Sequence, residues 1–84
     1  MAVIKYIPFF LVYDAPQMIP SNCNSITFIN LGQSVAYIEG TPIQPNQSIS
    51  IEGNACEFTD YNFKLTFDNS GQNNLTVIKK VYIS

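Results

Sequence analysis

The groups in this chain that could do chemistry are six carboxylates, two thiols, five phenols and four lysine ammonium groups; histidine is absent. Without imidazole, the usual general base near neutral pH and the commonest transition-metal ligand are both missing. No Ser-His-Asp or Cys-His arrangement can be assembled. The acids are Asp14, Glu39, Glu52, Glu57, Asp60 and Asp68. Glu57 and Asp60 sit close together in Glu57-Phe58-Thr59-Asp60-Tyr61. A carboxylate pair is the working part of a glycosidase and, with backbone carbonyls, of a calcium site. Scattered acids in an antiparallel domain also meet by chance, and this pair reads as solvated loop carboxylates. Gly32, Gly40, Gly53 and Gly71 are dispersed, so there is no phosphate-cradling loop. The chain is expected to be non-enzymatic, with no cofactor and no metal.

Cys23 and Cys56 lack Cys-x-x-Cys spacing, so redox chemistry and a zinc site are weak readings. They read as buried reduced thiols packing as small hydrophobes. The alternative is a disulfide between them, which contributes about 3–4 kcal/mol in the chain-entropy model. Tyr37, Tyr61 and Tyr82 are candidate contacts for a sugar or a partner; Tyr13 and Tyr61 read more simply as caps on the core with their hydroxyls in water. Asn46-Gln47-Ser48 and Asn74-Leu75-Thr76 fit the N-glycosylation pattern, but a chain so rich in Asn, Ser and Thr makes such matches by chance.

The elements that position these groups belong to one domain, since 84 residues leave no room for two. The composition is 46% hydrophobic but only 12% charged, which describes a real core under a neutral, hydrogen-bonding surface. The net charge is −2 and the cations are Lys5, Lys64, Lys79 and Lys80. A phosphate-tracking groove or an anionic lipid surface needs several cations on one face, so neither nucleic acid nor membrane is an expected partner. The leading segment has an apolar run from Ile7 to Tyr13, but Lys5, Pro8 and Asp14-Ala15-Pro16 fit a signal peptide poorly. It is expected to be part of the mature chain.

No window carries a convincing 3.6-residue period, while two-residue alternation recurs. Residues 3–13 predict a strand or extended arm, apolar on both faces: Val3, Lys5, Ile7, Phe9, Leu11, Tyr13 and Ile4, Tyr6, Pro8, Phe10, Val12. Such a strand is either central or covered by another molecule. Pro8 cannot donate to a ladder, which favours an arm or edge strand buried by a neighbouring subunit; the equal alternative is a strand under a long loop. Residues 15–24 read as a loop. Ser25–Asn30 predicts a strand with Ile26 and Phe28 inward; Leu31-Gly32-Gln33 reads as a tight connection, with 34–39 pairing back as a hairpin. Gly40-Thr41-Pro42 reads as a further turn, Ile43 as a lone apolar anchor, and Pro45-Asn46 as the centre of a β-turn. Residues 47–52 predict a strand with Ile49 and Ile51 inward, and Gly53-Asn54-Ala55 a corner. Tyr61–Phe67 is the clearest strand. Residues 75–83 predict the last, with Lys79 interrupting its apolar face, so that either an edge position or a bulge is expected there. The fold class that follows is all-β: a small antiparallel β-sandwich, jelly-roll-like or Greek-key, with an extended N-terminal arm or strand. Residues 1–23 form the arm or edge strand plus loop, and 24–84 the sandwich.

Part of this pattern resembles a known group. The residues are Asn30-Leu31-Gly32, Val35–Gly40, Ile43-Gln44-Pro45-Asn46-Gln47-Ser48-Ile49-Ser50-Ile51, Gly53-Asn54-Ala55-Cys56-Glu57 and Tyr61–Phe67. This succession resembles small β-sandwich proteins of tailed-bacteriophage virions, including those of crAss-like gut phages. It covers roughly residues 24–83; Asn46 stands where Gly is commoner. The resemblance implies location in the virion and a structural role, as a capsid auxiliary or decoration protein or a head or tail fibre component. Such proteins bind themselves or other virion proteins in many copies, with no cofactor. On the residues themselves, Ile4, Tyr6, Phe9, Phe10 and Val12 are the expected interface. The alternative is a carbohydrate-binding or adhesive module whose partner is a host-surface glycan.

Overall fold

A computed structural model describes residues 5–53 and 60–82. Alternation in the sequence becomes alternation in burial. Ile26 and Phe28 on β3 (Ser25–Asn30), Phe63, Leu65 and Phe67 on β7 (Asn62–Phe67), and Leu75 and Val77 on β8 (Leu75–Tyr82) all point inward. The other strands are β1 (Tyr6–Tyr13), β2 (Gln17–Pro20), β4 (Ala36–Ile38), β5 (Thr41–Ile43) and β6 (Ser48–Ile51).

The pairing follows one rule. The first strand pairs with the last (β1 with β8), and so inward: β2 with β7, β3 with β6, β4 with β5, all antiparallel. The chain is thus one long antiparallel ribbon, rolled up. Two further ladders, β3 with β8 and β4 with β7, close the roll into sheets ordered β1-β8-β3-β6 and β2-β7-β4-β5. That order is a jelly roll.

The inner faces of both sheets supply the core: Ile26, Phe28, Leu75 and Val77 from the first, Ile19, Ala36, Ile38, Ile43, Phe63, Leu65 and Phe67 from the second. Phe28 and Phe63 meet edge to face across the sandwich, ring centres 5.3 Å apart. Tyr13 packs against this core, and burial pushes its phenol pKa up.

Four local expectations are corrected. First, β3 and β4 do not form a hairpin; the chain crosses there from one sheet to the other. The crossing is built on Asn30, which is fully buried. Its Nδ2 donates to the Ser34 and Ile43 carbonyls at 2.7 and 2.8 Å, and its Oδ1 accepts from the Gly32 N–H at 3.0 Å. Gly32 fits because a Cβ there would lie 2.5 Å from the Gln72 carbonyl oxygen. The Ser34 hydroxyl then donates to the Gly71 carbonyl and accepts its N–H, at 2.8 and 3.0 Å. The buried side chains of Asn30 and Ser34 at the corner are therefore satisfied locally.

Second, the stretch 15–24 contains a strand, β2, whose inward residue is Ile19. Two prolines hide it from a pattern search, but β2 is an edge, where proline is tolerated. Third, the turn after β4 lies at Glu39-Gly40, and Thr41-Pro42-Ile43 is a strand. Both turn residues have positive φ (51° and 80°), the twist a two-residue hairpin prefers. Fourth, Lys79 sits neither at an edge nor at a bulge. The β8 registers run unbroken on both sides, and Lys79 points inward from a central strand, where its ammonium donates to the Pro20 carbonyl.

The Pro45-Asn46 turn is as expected: the Gln47 N–H donates to the Gln44 carbonyl at 3.0 Å, with Asn46 at φ 67°. Cys23 is a fully buried free thiol. The Gly53-Asn54-Ala55 corner, Cys56 and Glu57 fall wholly or partly outside the described residues.

Candidate functional site

Three of the four sheet edges are short: β2 and β6 have four residues each and β5 has three. The fourth, β1, has eight, and among the described residues no strand pairs with its outer side. A long apolar edge is what soluble proteins avoid leaving bare.

The register with β8 assigns each β1 side chain to a face. Tyr13, Leu11, Phe9 and Ile7 stand opposite Leu75, Val77, Lys79 and Val81, so they lie on the inner face. Tyr6, Pro8, Phe10 and Val12 stand opposite Tyr82, Lys80, Ile78 and Thr76, on the outer face. Both sets remain open to solvent: Phe10 is 68% exposed, Val12 65% and Phe9 45%. Of the expected interface residues, Tyr6, Phe10 and Val12 therefore share one face and Phe9 takes the other. Ile4 lies outside the described residues.

The inner face is open because β2 stops at Pro20. The space left is a cleft of about 270 Å³, lined by Ile7, Phe9, Leu11, Lys79 and Val81 from the sheet and by Ser21 and Asn22 from the loop after β2. On the outer face, Tyr6 and Tyr82 pack edge to face at 6.2 Å, and the Lys80 ammonium lies 4.9 Å from the Tyr6 ring centre. This cation–π contact ties β1 to β8 from outside.

The strand's main chain has a direction too. The Lys80 carbonyl accepts from the Asn24 N–H at 2.9 Å, and the Tyr82 N–H donates to Asn24 Oδ1 at 2.9 Å, so the even residues of β8 face β3. Their partners on β1 therefore turn their own polar groups outward. Pro8 is one of these, and its missing N–H costs the β1–β8 ladder nothing. The free edge offers the N–H groups of Tyr6, Phe10 and Val12 and the carbonyls of those residues and Pro8.

No protein-family model, curated protein or solved structure matches this chain.

The remaining candidates do not assemble into a chemical site. Among the described residues there is no cluster of three or more Cys, Asp or Glu side chains able to hold a metal ion. The Cys23 thiol pKa is pushed up by burial, with the Lys79 charge opposing, which makes it a poor nucleophile. Asp68 bonds to the backbone: its Oδ1 accepts from the Val35 and Ser70 N–H groups, each at 3.0 Å, and the Ser70 hydrogen bonds hold its carboxyl below the usual range. Tyr61 packs edge to face on Phe63 at 4.9 Å, and the Glu39 carboxylate raises its pKa. Tyr37 pairs with Thr66 on the outer face of the second sheet, while Tyr82 is on the outer face of the first. A single sugar cannot touch both. A smaller cleft of about 160 Å³, between Phe28, Ile49, Ile51, Ile38, Phe63 and Glu39, opens onto the core near the end of β6.

Sequence reasoning missed Ile7 and Leu11 as members of the exposed surface, and Val81, partly buried against the core, as part of the cleft lining. The signal was there: the same two-residue period that singles out Phe9 also carries Ile7 and Leu11 to its side.

Proposed function

We propose that this chain is a non-enzymatic structural protein of a tailed-phage virion, a capsid auxiliary or decoration protein or a head or tail fibre component, acting by multimeric protein–protein binding through β1. The observation that carries the reading is the long free edge of β1, apolar and exposed on both faces. A side chain can be buried by its own fold on one face of an edge strand; burial on both faces and along the edge takes another molecule. Jelly-roll sandwiches are a common architecture of viral capsid domains, which suits the reading, and of lectins, which makes a host-surface glycan the rival partner. The sparse charge, 12% of residues, suits contact between proteins more than steering towards a charged ligand.

The test is assembly. Replacing Phe9 and Phe10 together by Ser is expected to lower the native mass of the purified chain while strand content, by circular dichroism, is kept. Binding of the single-copy form to a glycan array, with no change in mass, would favour the lectin reading.

A further inference from the structure

We infer that the partner of β1 is β1 of a second copy, paired antiparallel across a two-fold axis in the register that sets Phe9 opposite Phe9. This rests on the proposal that β1 is the contact surface, and it adds the occupant and the register.

The extent of the strand selects the register. The outward groups of β1 belong to the even residues, so a two-fold pairing must set even residues against even residues. With Phe9 on the axis, Tyr6 faces Val12 of the second copy and Pro8 faces Phe10. The Phe10 N–H then reaches the Pro8 carbonyl, the Val12 N–H the Tyr6 carbonyl, and the Tyr6 N–H the Val12 carbonyl. Every outward N–H of the strand finds an acceptor, and the donor that Pro8 lacks is the sole gap in the ladder. Centring on Phe10 instead places Tyr6 against Asp14, beyond the end of β1; centring on Pro8 carries Val12 past its start.

Tyr6, Ile7, Phe9, Phe10, Leu11 and Val12 leave on the order of 600 Å² exposed per copy. Pairing edge to edge covers the main chain and the facing flanks of these side chains, part of that area in each copy, which places the contact towards the small end of the range for specific interfaces. Pairing β1 with a short edge of another copy would make contacts that do not close and so build a filament; the two-fold pair closes on itself.

The test uses the full chain with its own thiols replaced (Cys23→Ala, Cys56→Ser). On the axis, Phe9→Cys brings two Cα atoms to about 4.5 Å, within disulfide reach. Leu11→Cys leaves its two copies about 13 Å apart. The expectation is a mass about twice that of the chain, rapid disulfide formation by Phe9→Cys, none by Leu11→Cys alone, and cross-linking when Ile7→Cys and Leu11→Cys chains are mixed. Val12→Pro removes a second outward N–H, so it keeps the fold and weakens the dimer. An assembly that loses mass on β1 mutation, but in which Phe9→Cys fails to cross-link, overturns this pairing and leaves β1 as a contact surface for something else. A chain that stays a single copy at millimolar concentration, with the Tyr6, Phe10 and Val12 amides exchanging freely, overturns both.

Discussion

Pro8 stands directly opposite Lys80, and the main chain of Pro8 faces away from the strand that carries Lys80. Its neighbour Phe9, opposite Lys79, faces that strand. The two positions should respond oppositely to proline. Pro8→Thr frees an N–H with no partner in the same chain and is expected to shift stability by no more than about 0.5 kcal/mol. Phe9→Pro removes a ladder donor and is expected to cost about 3 kcal/mol. Urea unfolding monitored by circular dichroism measures both.

Asn30 is expected to be among the most sensitive polar residues. Asn30→Ala leaves the Ser34 and Ile43 carbonyls without their buried donor and opens a small cavity. A loss of about 3 kcal/mol is expected. Asn30→Asp should be no milder, because a carboxylate would face two carbonyl oxygens. An exposed control, Asn46→Gly at the φ 67° turn position, should be neutral or stabilising.

Asp68 should make stability depend on acid. Hydrogen bonds from Ser70 and Val35 lower its pKa in the folded chain, so the unfolded chain binds a proton more readily. Its contribution is therefore full at neutral pH and is lost as pH falls below about 4, through the folded value. The Tm difference between the parent chain and Asp68→Ala should be largest near pH 7 and should shrink towards pH 2. A difference constant across that range would mean that the charge on Asp68 plays no part.

Cys23 should behave as a core residue. In a Cys56→Ser chain, iodoacetamide at pH 8 is expected to leave Cys23 unmodified under native conditions and to label it fully in urea. Fast native labelling would show that the loop between β2 and β3 opens readily.

Much of the fold was legible because inward and outward residues alternate strictly on Ser25–Asn30, Asn62–Phe67 and Leu75–Val77. The pairing was less so. Leu31-Gly32-Gln33 looks like a hairpin turn because a jelly-roll corner and a hairpin use the same residue types; what separates them is a buried side chain, Asn30, reaching Ile43 far along the chain. β2 was hidden because one inward residue, Ile19, sets no period. Lys79 looked like a register break because an inward lysine is unusual, and the carbonyl that satisfies it, on Pro20, lies far away in sequence. At the candidate site, the apolar character of both faces of residues 6–12 was plain in the sequence. Which residues share a face with which β8 partners depends on pairing across most of the chain, and no local pattern carries that.

Light scattering of the purified chain over a wide concentration range, beside the Phe9→Ser/Phe10→Ser chain, addresses the central claim most directly. The account predicts a parent mass of two copies or more, reduced to one copy by the double substitution with strand content unchanged. A parent chain that remains a folded single copy throughout, with its first strand as bare as the substituted one, contradicts it.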